Sequence, residues 1–92
     1  MTQFTGTVAV TLKDSVLDPQ GQTTLHALNS LGFQDAQDLK IGKYIVITVN
    51  SANKSMANTL IMQACEKLLY NPIIEKYNIL NVVEVNSPQN KV

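Results

Sequence analysis

The stretch Asp38-Leu39-Lys40-Ile41-Gly42-Lys43-Tyr44-Ile45-Val46-Ile47-Thr48-Val49 decides the fold. Leu39 and Ile41 share one parity, and after Gly42-Lys43 a β-branched run continues from Tyr44 to Val49. Gly42 can supply a positive φ, so the spacing predicts a hairpin with two strands in the middle of the chain. Toward the N-terminus, Phe4 to Lys13 alternates: Phe4, Gly6, Val8, Val10 and Leu12 share one face, with Thr5, Thr7, Ala9, Thr11 and Lys13 on the other. That is the pattern of a half-buried strand. Asp18 then offers an N-cap and Pro19 a first helical residue, while Leu25, Leu28 and Leu31 recur at helical spacing before Gly32. A helix from about Pro19 to Leu31 follows.

Toward the C-terminus, Ser51 to Ser55 form a polar start, and Ala57, Leu60, Ile61, Ala64 and Leu68 mark a helical stripe that Pro72 cannot continue. The second helix is expected to end at Leu69 or Tyr70. A short segment, Ile73 to Tyr77, precedes a last strand from Ile79 to Val85, and the tail from Asn86 to Val92 is expected to be loose. Strand, helix, strand, strand, helix, strand is the ferredoxin-like βαββαβ order, an α+β fold whose antiparallel sheet carries both helices on one face. No linker, repeat or low-complexity stretch divides the chain, so its 92 residues read as one domain.

Bulk properties exclude several function classes. Seven lysines, no arginine and seven acidic residues give a formal net charge of zero, with no basic stripe interleaved with aromatics. Nucleic acid is therefore not an expected partner. No apolar run approaches the roughly 18 residues needed to span a bilayer, so a membrane is not expected either, and the chain reads as cytoplasmic. A single cysteine, Cys65, cannot form an internal disulfide, and with the single histidine, His26, it makes a poor metal set.

A search for reaction chemistry finds little. Cys65 lies beside the stripe of the second helix, where a cysteine packs as a small hydrophobe. His26 falls off its helix's leucine stripe and has no partner at metal or triad spacing. Gly42-Lys43 lacks the second spaced glycine and the Ser or Thr of a phosphate loop. The carboxylates Asp18, Asp35, Asp38, Glu66, Glu75 and Glu84 are scattered over different elements, with no pair suited to acid–base work.

Apolar residues on the wrong faces point instead to subunit contact. Tyr44 and Val46 oppose Ile45, Ile47 and Val49, while Leu80 and Val82 oppose Ile79 and Val83. Burying four such side chains, at ~1.5 to 3 kcal/mol each, would rival the stability of a small domain. Met62 and Leu69, seven residues apart, form a second candidate contact on a flank of the second helix. The expected use of Tyr44, Val46, Leu80, Val82, Met62 and Leu69 is a subunit interface.

Four segments resemble one family in order and spacing. They are Leu12-Lys13-Asp14-Ser15-Val16-Leu17-Asp18-Pro19-Gln20-Gly21, Leu28-Asn29-Ser30-Leu31-Gly32-Phe33, Asp38 to Tyr44, and Cys65-Glu66-Lys67-Leu68-Leu69-Tyr70-Asn71-Pro72-Ile73-Ile74-Glu75-Lys76-Tyr77. Together they are similar to the PurS family, small subunits of phosphoribosylformylglycinamidine synthase. The motif positions are Lys13, Asp18, Pro19, Gln20, Gly21, Gly42, Lys43, Asn71, Pro72 and Glu75. Lys40 stands where the family commonly has Arg, giving up a bidentate fork, and Tyr70 stands where Ala is common.

The resemblance implies a non-catalytic chain that dimerises, bridges a PurL synthetase and a PurQ glutaminase, and assists ammonia passage in ATP- and glutamine-dependent purine biosynthesis. It implies no cofactor on this chain, with ATP and magnesium held by PurL. A rival reading is a free-standing ferredoxin-like regulatory or small-ligand-binding domain, which would need a polar pocket at a helix or dimer edge. A stand-alone enzyme would need a convergent titratable cluster. Neither feature is visible in the sequence.

Overall fold

A computed structural model describes residues 1–85; the tail expected from Asn86 to Val92 lies outside the described residues. The elements are β1 (Thr2–Leu12), α1 (Pro19–Ser30), β2 (Lys43–Ser51), α2 (Lys54–Ala64), a π-helical turn (Cys65–Leu69) and β3 (Glu75–Glu84). The three strands are antiparallel in the order β2-β1-β3, so the first strand to be made is the central one. The fold is α+β and ferredoxin-like, with the outermost strand of that plan not formed among the described residues.

The alternation of β1 sets the two faces. Phe4, Val8 and Val10 are buried, and their partners Val49, Ile45, Ile79 and Tyr77 lie on the same side. Helix α2 covers this side, and Asn53 caps it by accepting from the Met56 backbone N–H at 2.9 Å. Its Ala57 and Ile61, followed at the same four-residue spacing by Cys65 of the next turn, are wholly buried against the sheet. The other side is a threonine stripe, where Thr5 bonds Thr48 and Thr7 donates to the Asn81 side-chain oxygen.

Three details of the expected architecture are corrected. Leu39 and Ile41 form no strand: the segment between α1 and β2 has no ladder partner among the described residues, and Gly32 rather than Gly42 carries a positive φ, of 105°. The last strand starts at Glu75, absorbing most of the segment expected to precede it. Finally, among the described residues α2 is the helix that covers the core face, and α1 makes no comparable contact with the sheet.

The π-helical turn also changes a register. Tyr70 N–H donates to the carbonyl of Cys65, five residues back, at 3.3 Å, so one extra residue is accommodated in that turn. Leu69 thereby packs against the core, while Leu68, expected in the stripe, is 83% exposed. Leu69→Ala is accordingly expected to lower stability by about 2 kcal/mol and Leu68→Ala by less than about 0.5 kcal/mol in urea unfolding. Equal losses would show that the turn is ordinary α-helix.

Candidate subunit-contact site at the motif end

Asp18 organises one end of the molecule. One carboxylate oxygen accepts from Gly21 N–H at 3.0 Å, capping α1, and the other accepts from Ile41 N–H at 3.1 Å. The second bond consumes a backbone donor that a hairpin strand would have used, which is one reason Leu39 to Ile41 remain irregular. Glycine is required on both sides of this junction. A Cβ on Gly21 would sit 2.6 Å from the Leu39 carbonyl oxygen, and one on Gly42 would run into the Val10 carbonyl oxygen.

The turn before β3 closes on the same end. The Asn71 side chain accepts from Ile73 N–H at 3.0 Å, its carbonyl accepts from Glu75 N–H at 2.7 Å, and the Glu75 carboxylate accepts from Asn71 N–H at 2.7 Å. Pro72 falls inside this self-bonded loop, where it has no N–H to satisfy. The other Glu75 oxygen lies 3.8 Å from Lys43 Nζ at the start of β2, and Lys13 N–H donates to Ile74 O at 2.8 Å. The ten motif residues, distant in sequence, thus meet where β1 ends and α1, β2 and β3 begin.

Six of them, Asp18, Pro19, Gln20, Gly42, Lys43 and Glu75, line an open groove of about 430 Å³ floored by Val10, Leu12 and Ile41. A larger neighbouring groove of about 810 Å³ includes Lys13, Asp14, Lys40 and Lys76. Asp14 pairs with Lys40 and, at 3.4 Å, with Lys76, a cluster the sequence reading missed because its members are far apart in the chain. Among the described residues no group of three His, Cys, Asp or Glu is placed to hold a metal ion.

Hydrogen bonding and the Lys40 ammonium, then Lys76, hold the Asp14 carboxyl below its usual range. The Gly21 and Ile41 N–H groups do the same for Asp18. A carboxyl with a lowered folded pKa contributes stability above its unfolded value of about 3.9, and that contribution disappears as pH falls through the folded value. Asp18→Ala is therefore expected to melt earlier than the parent at pH 7, with the gap closing below about pH 4. A gap that stayed constant down to pH 2 would separate Asp18 from the junction.

The proposed interface residues divide. Tyr44 and Val46, at 69% and 57% exposure, stand on the threonine side of the sheet, away from α2. Leu80 is half exposed at a bulge in β3, where the register against β1 shifts, and it borders Lys54, Ser55 and Asn58 of α2. Val82 is corrected: it pairs with Gly6 on the core face and is buried. Leu69 is corrected too, since the π-helical turn rotates it inward, whereas Met62 stays partly exposed.

Cys65 is buried beneath α2, and desolvation pushes its thiol up, away from the reactive thiolate. Nearby, the Tyr77 hydroxyl donates to Glu66 at 3.1 Å, and the Tyr70 ring meets Tyr77 edge to face with centroids 4.8 Å apart. Tyr70 therefore closes the end of the core next to the motif turn.

Comparison with known proteins gives these residues a context. Residues 5–83 match the profile of PurS, described as phosphoribosylformylglycinamidine (FGAM) synthase. The phosphoribosylformylglycinamidine synthase subunit PurS of Bacillus subtilis is 46% identical over 70 residues, covering 76% of this chain and 82% of the relative. The corresponding subunit of Archaeoglobus fulgidus is 40% identical over 73 residues, covering 79% and 91%. Among solved structures, Bacillus subtilis PurS superposes with a TM-score of 0.72 at 42% identity, covering 86% of this chain and 96% of that one. A chain in the PurLQS structure of Thermotoga maritima superposes with a TM-score of 0.78 at 33% identity, covering 92% and 100%. With its motif residues gathered at one end of a matching fold, the chain belongs to the PurS family of phosphoribosylformylglycinamidine synthase subunits.

Proposed function

We propose that this chain is an assembly subunit of a cytoplasmic phosphoribosylformylglycinamidine synthase, joining copies of itself to a PurL synthetase and a PurQ glutaminase and assisting ammonia transfer between them. It takes no direct part in the chemistry and binds no cofactor; ATP and magnesium belong to the synthetase. The observation that carries this reading is the convergence of the motif residues on one end of the molecule, six of them lining a groove, with their polar groups consumed by capping, turn closure and ion pairing. Such a site presents shape and fixed charge to a neighbouring protein and has no free nucleophile and base to present to a substrate. The likeness to a chain of the PurLQS structure supports the same partners.

Exposed Tyr44 and Val46 extend the contact surface onto the back of the sheet. The test is reconstitution: the chain should co-purify with PurQ and PurL subunits, and glutamine-dependent formation of the amidine should fall sharply when it is omitted. Val46→Lys should weaken that assembly without altering the melt of the isolated chain. Full glutamine-dependent activity without the chain would defeat the reading.

A further inference from the structure

The outer side of β3 is an unfinished sheet edge. On its inner side, Ile74 O accepts from Lys13 N–H and Val85 N–H donates to Gln3 O, both across the ladder with β1. Backbone groups of alternate residues point to opposite sides of a strand, and Leu80 is the extra residue of the bulge. Alternation from both ends therefore aims the N–H and C=O groups of Tyr77, Ile79, Val82 and Glu84 away from β1, where no strand lies among the described residues. From Tyr77 to Val83 the strand holds no charge and no proline. An uncharged edge of this length is a template for another strand.

A groove runs beside it. About 560 Å³ lies between β3 and the first turns of α2, with Ile79, Leu80 and Val82 on one wall and Lys54, Ser55 and Asn58 on the other. Leu80 is half exposed there. An added strand would form its ladder with β3 and set alternate side chains into this groove.

The bulge and the charges say which strand fits. Directly opposed residues of antiparallel strands share a face. The bulge inverts the alternation of β3 midway, so that Tyr77 and Ile79 face the core before it and Val82 and Glu84 after it. For β3 to pair over its full length with β3 of a second copy, Tyr77 must then meet Val82, and Glu75 must meet Glu84 at both ends. Like charges directly opposite destabilise a sheet. A strand of a different polypeptide escapes that clash and can set a cation opposite Glu84, which is exposed and pairs with no lysine among the described residues.

We propose that the outer edge of β3 accepts an extended segment of a different polypeptide, apolar toward the α2 groove and basic where it passes Glu84. This rests on the assembly role in the proposed function and names a surface for it. The test is amide hydrogen exchange, quenched and read residue by residue, on the chain alone and in its complex with the synthetase and glutaminase subunits. In the chain alone, Lys76, Asn78, Asn81 and Val83 should exchange slowly and Tyr77, Ile79, Val82 and Glu84 quickly. In the complex those last four should slow by at least about 100-fold, replacing the alternation with an unbroken protected run. Glu84→Pro removes an outward N–H and spares the β1 ladder, so it should melt with the parent and weaken complex formation about tenfold.

Fast exchange at all four residues in an assembled, active complex would overturn the proposal and leave the assembly role standing, whereas failure of the complex to form would remove both. Slow exchange at the four in the chain alone would also overturn it. Dependence of that protection on chain concentration would assign the edge to a second copy, and its loss on deletion of residues 86–92 would assign it to the chain's own C-terminal segment.

Discussion

Gly42→Val is expected to lower the melting temperature of the isolated chain by on the order of 15 °C, because a side chain at this position runs into the Val10 backbone carbonyl. Most overpacked sites relax by rotating a neighbouring side chain. Here the obstacle is the main chain of the central strand, at the point where Val10 pairs with Lys43. Relief requires the start of β2 to move away from β1, which loosens the Lys43–Glu75 pair and the Ile41 bond to Asp18 together. The loss is put at about 3 kcal/mol, the upper end for inserted bulk in a packed region. The variant should also fail to support glutamine-dependent activity at temperatures where it remains folded. A melt within about 2 °C of the parent would mean that Gly42 is not under this constraint.

Ile61→Ala carries the other large effect, a loss of about 2 to 5 kcal/mol. Ile61 is fully buried at the centre of α2, and its terminal methyl lies directly over Gly6, the one position on the core face of β1 with no side chain to fill the space. The residual cavity therefore cannot be closed from below by rotamer changes at position 6. Against a total stability of ~5 to 15 kcal/mol for a small domain, the variant would stand close to unfolding at physiological temperature. Urea unfolding should show a reduced midpoint with an unchanged slope. A loss below about 1 kcal/mol would place the centre of the core elsewhere.

Local patterns in the sequence carried much of this architecture. The alternation from Phe4 to Leu12 depends only on the strand period, and its faces fall as that period requires; of the stripe read for the second helix, Ala57 and Ile61 are buried, whereas Leu60 is exposed and Cys65, placed beside the stripe, is fully buried. The Asp18-Pro19 helix start is equally local. What escaped depended on distant groups. Leu39 to Ile41 look like half a hairpin until Asp18 and Gly21 claim the backbone of that segment across a long sequence separation. Leu68 and Leu69 exchange roles because a hydrogen bond slips by one residue, an event that a pattern with 3.6 residues per turn cannot register. Val82 looked exposed because the bulge at Leu80 breaks the strict alternation used to place it. The motif residues were all named from the sequence, but their meeting at one end became visible only once the three strands were laid side by side.

The central position of β1 has a consequence for how the protein is made. The strand that leaves the ribosome first needs neighbours that arrive much later: Phe4 pairs with Val49 on one side and with Glu84 on the other. At synthesis rates of ~5 to 20 residues per second, β1 waits several seconds for its second flank. Pairings this distant also slow the search once the chain is free. During that interval the alternating Phe4, Val8 and Val10 are uncovered, so nascent chains with slowed translation between β2 and β3 should depend on chaperones that hold extended apolar segments.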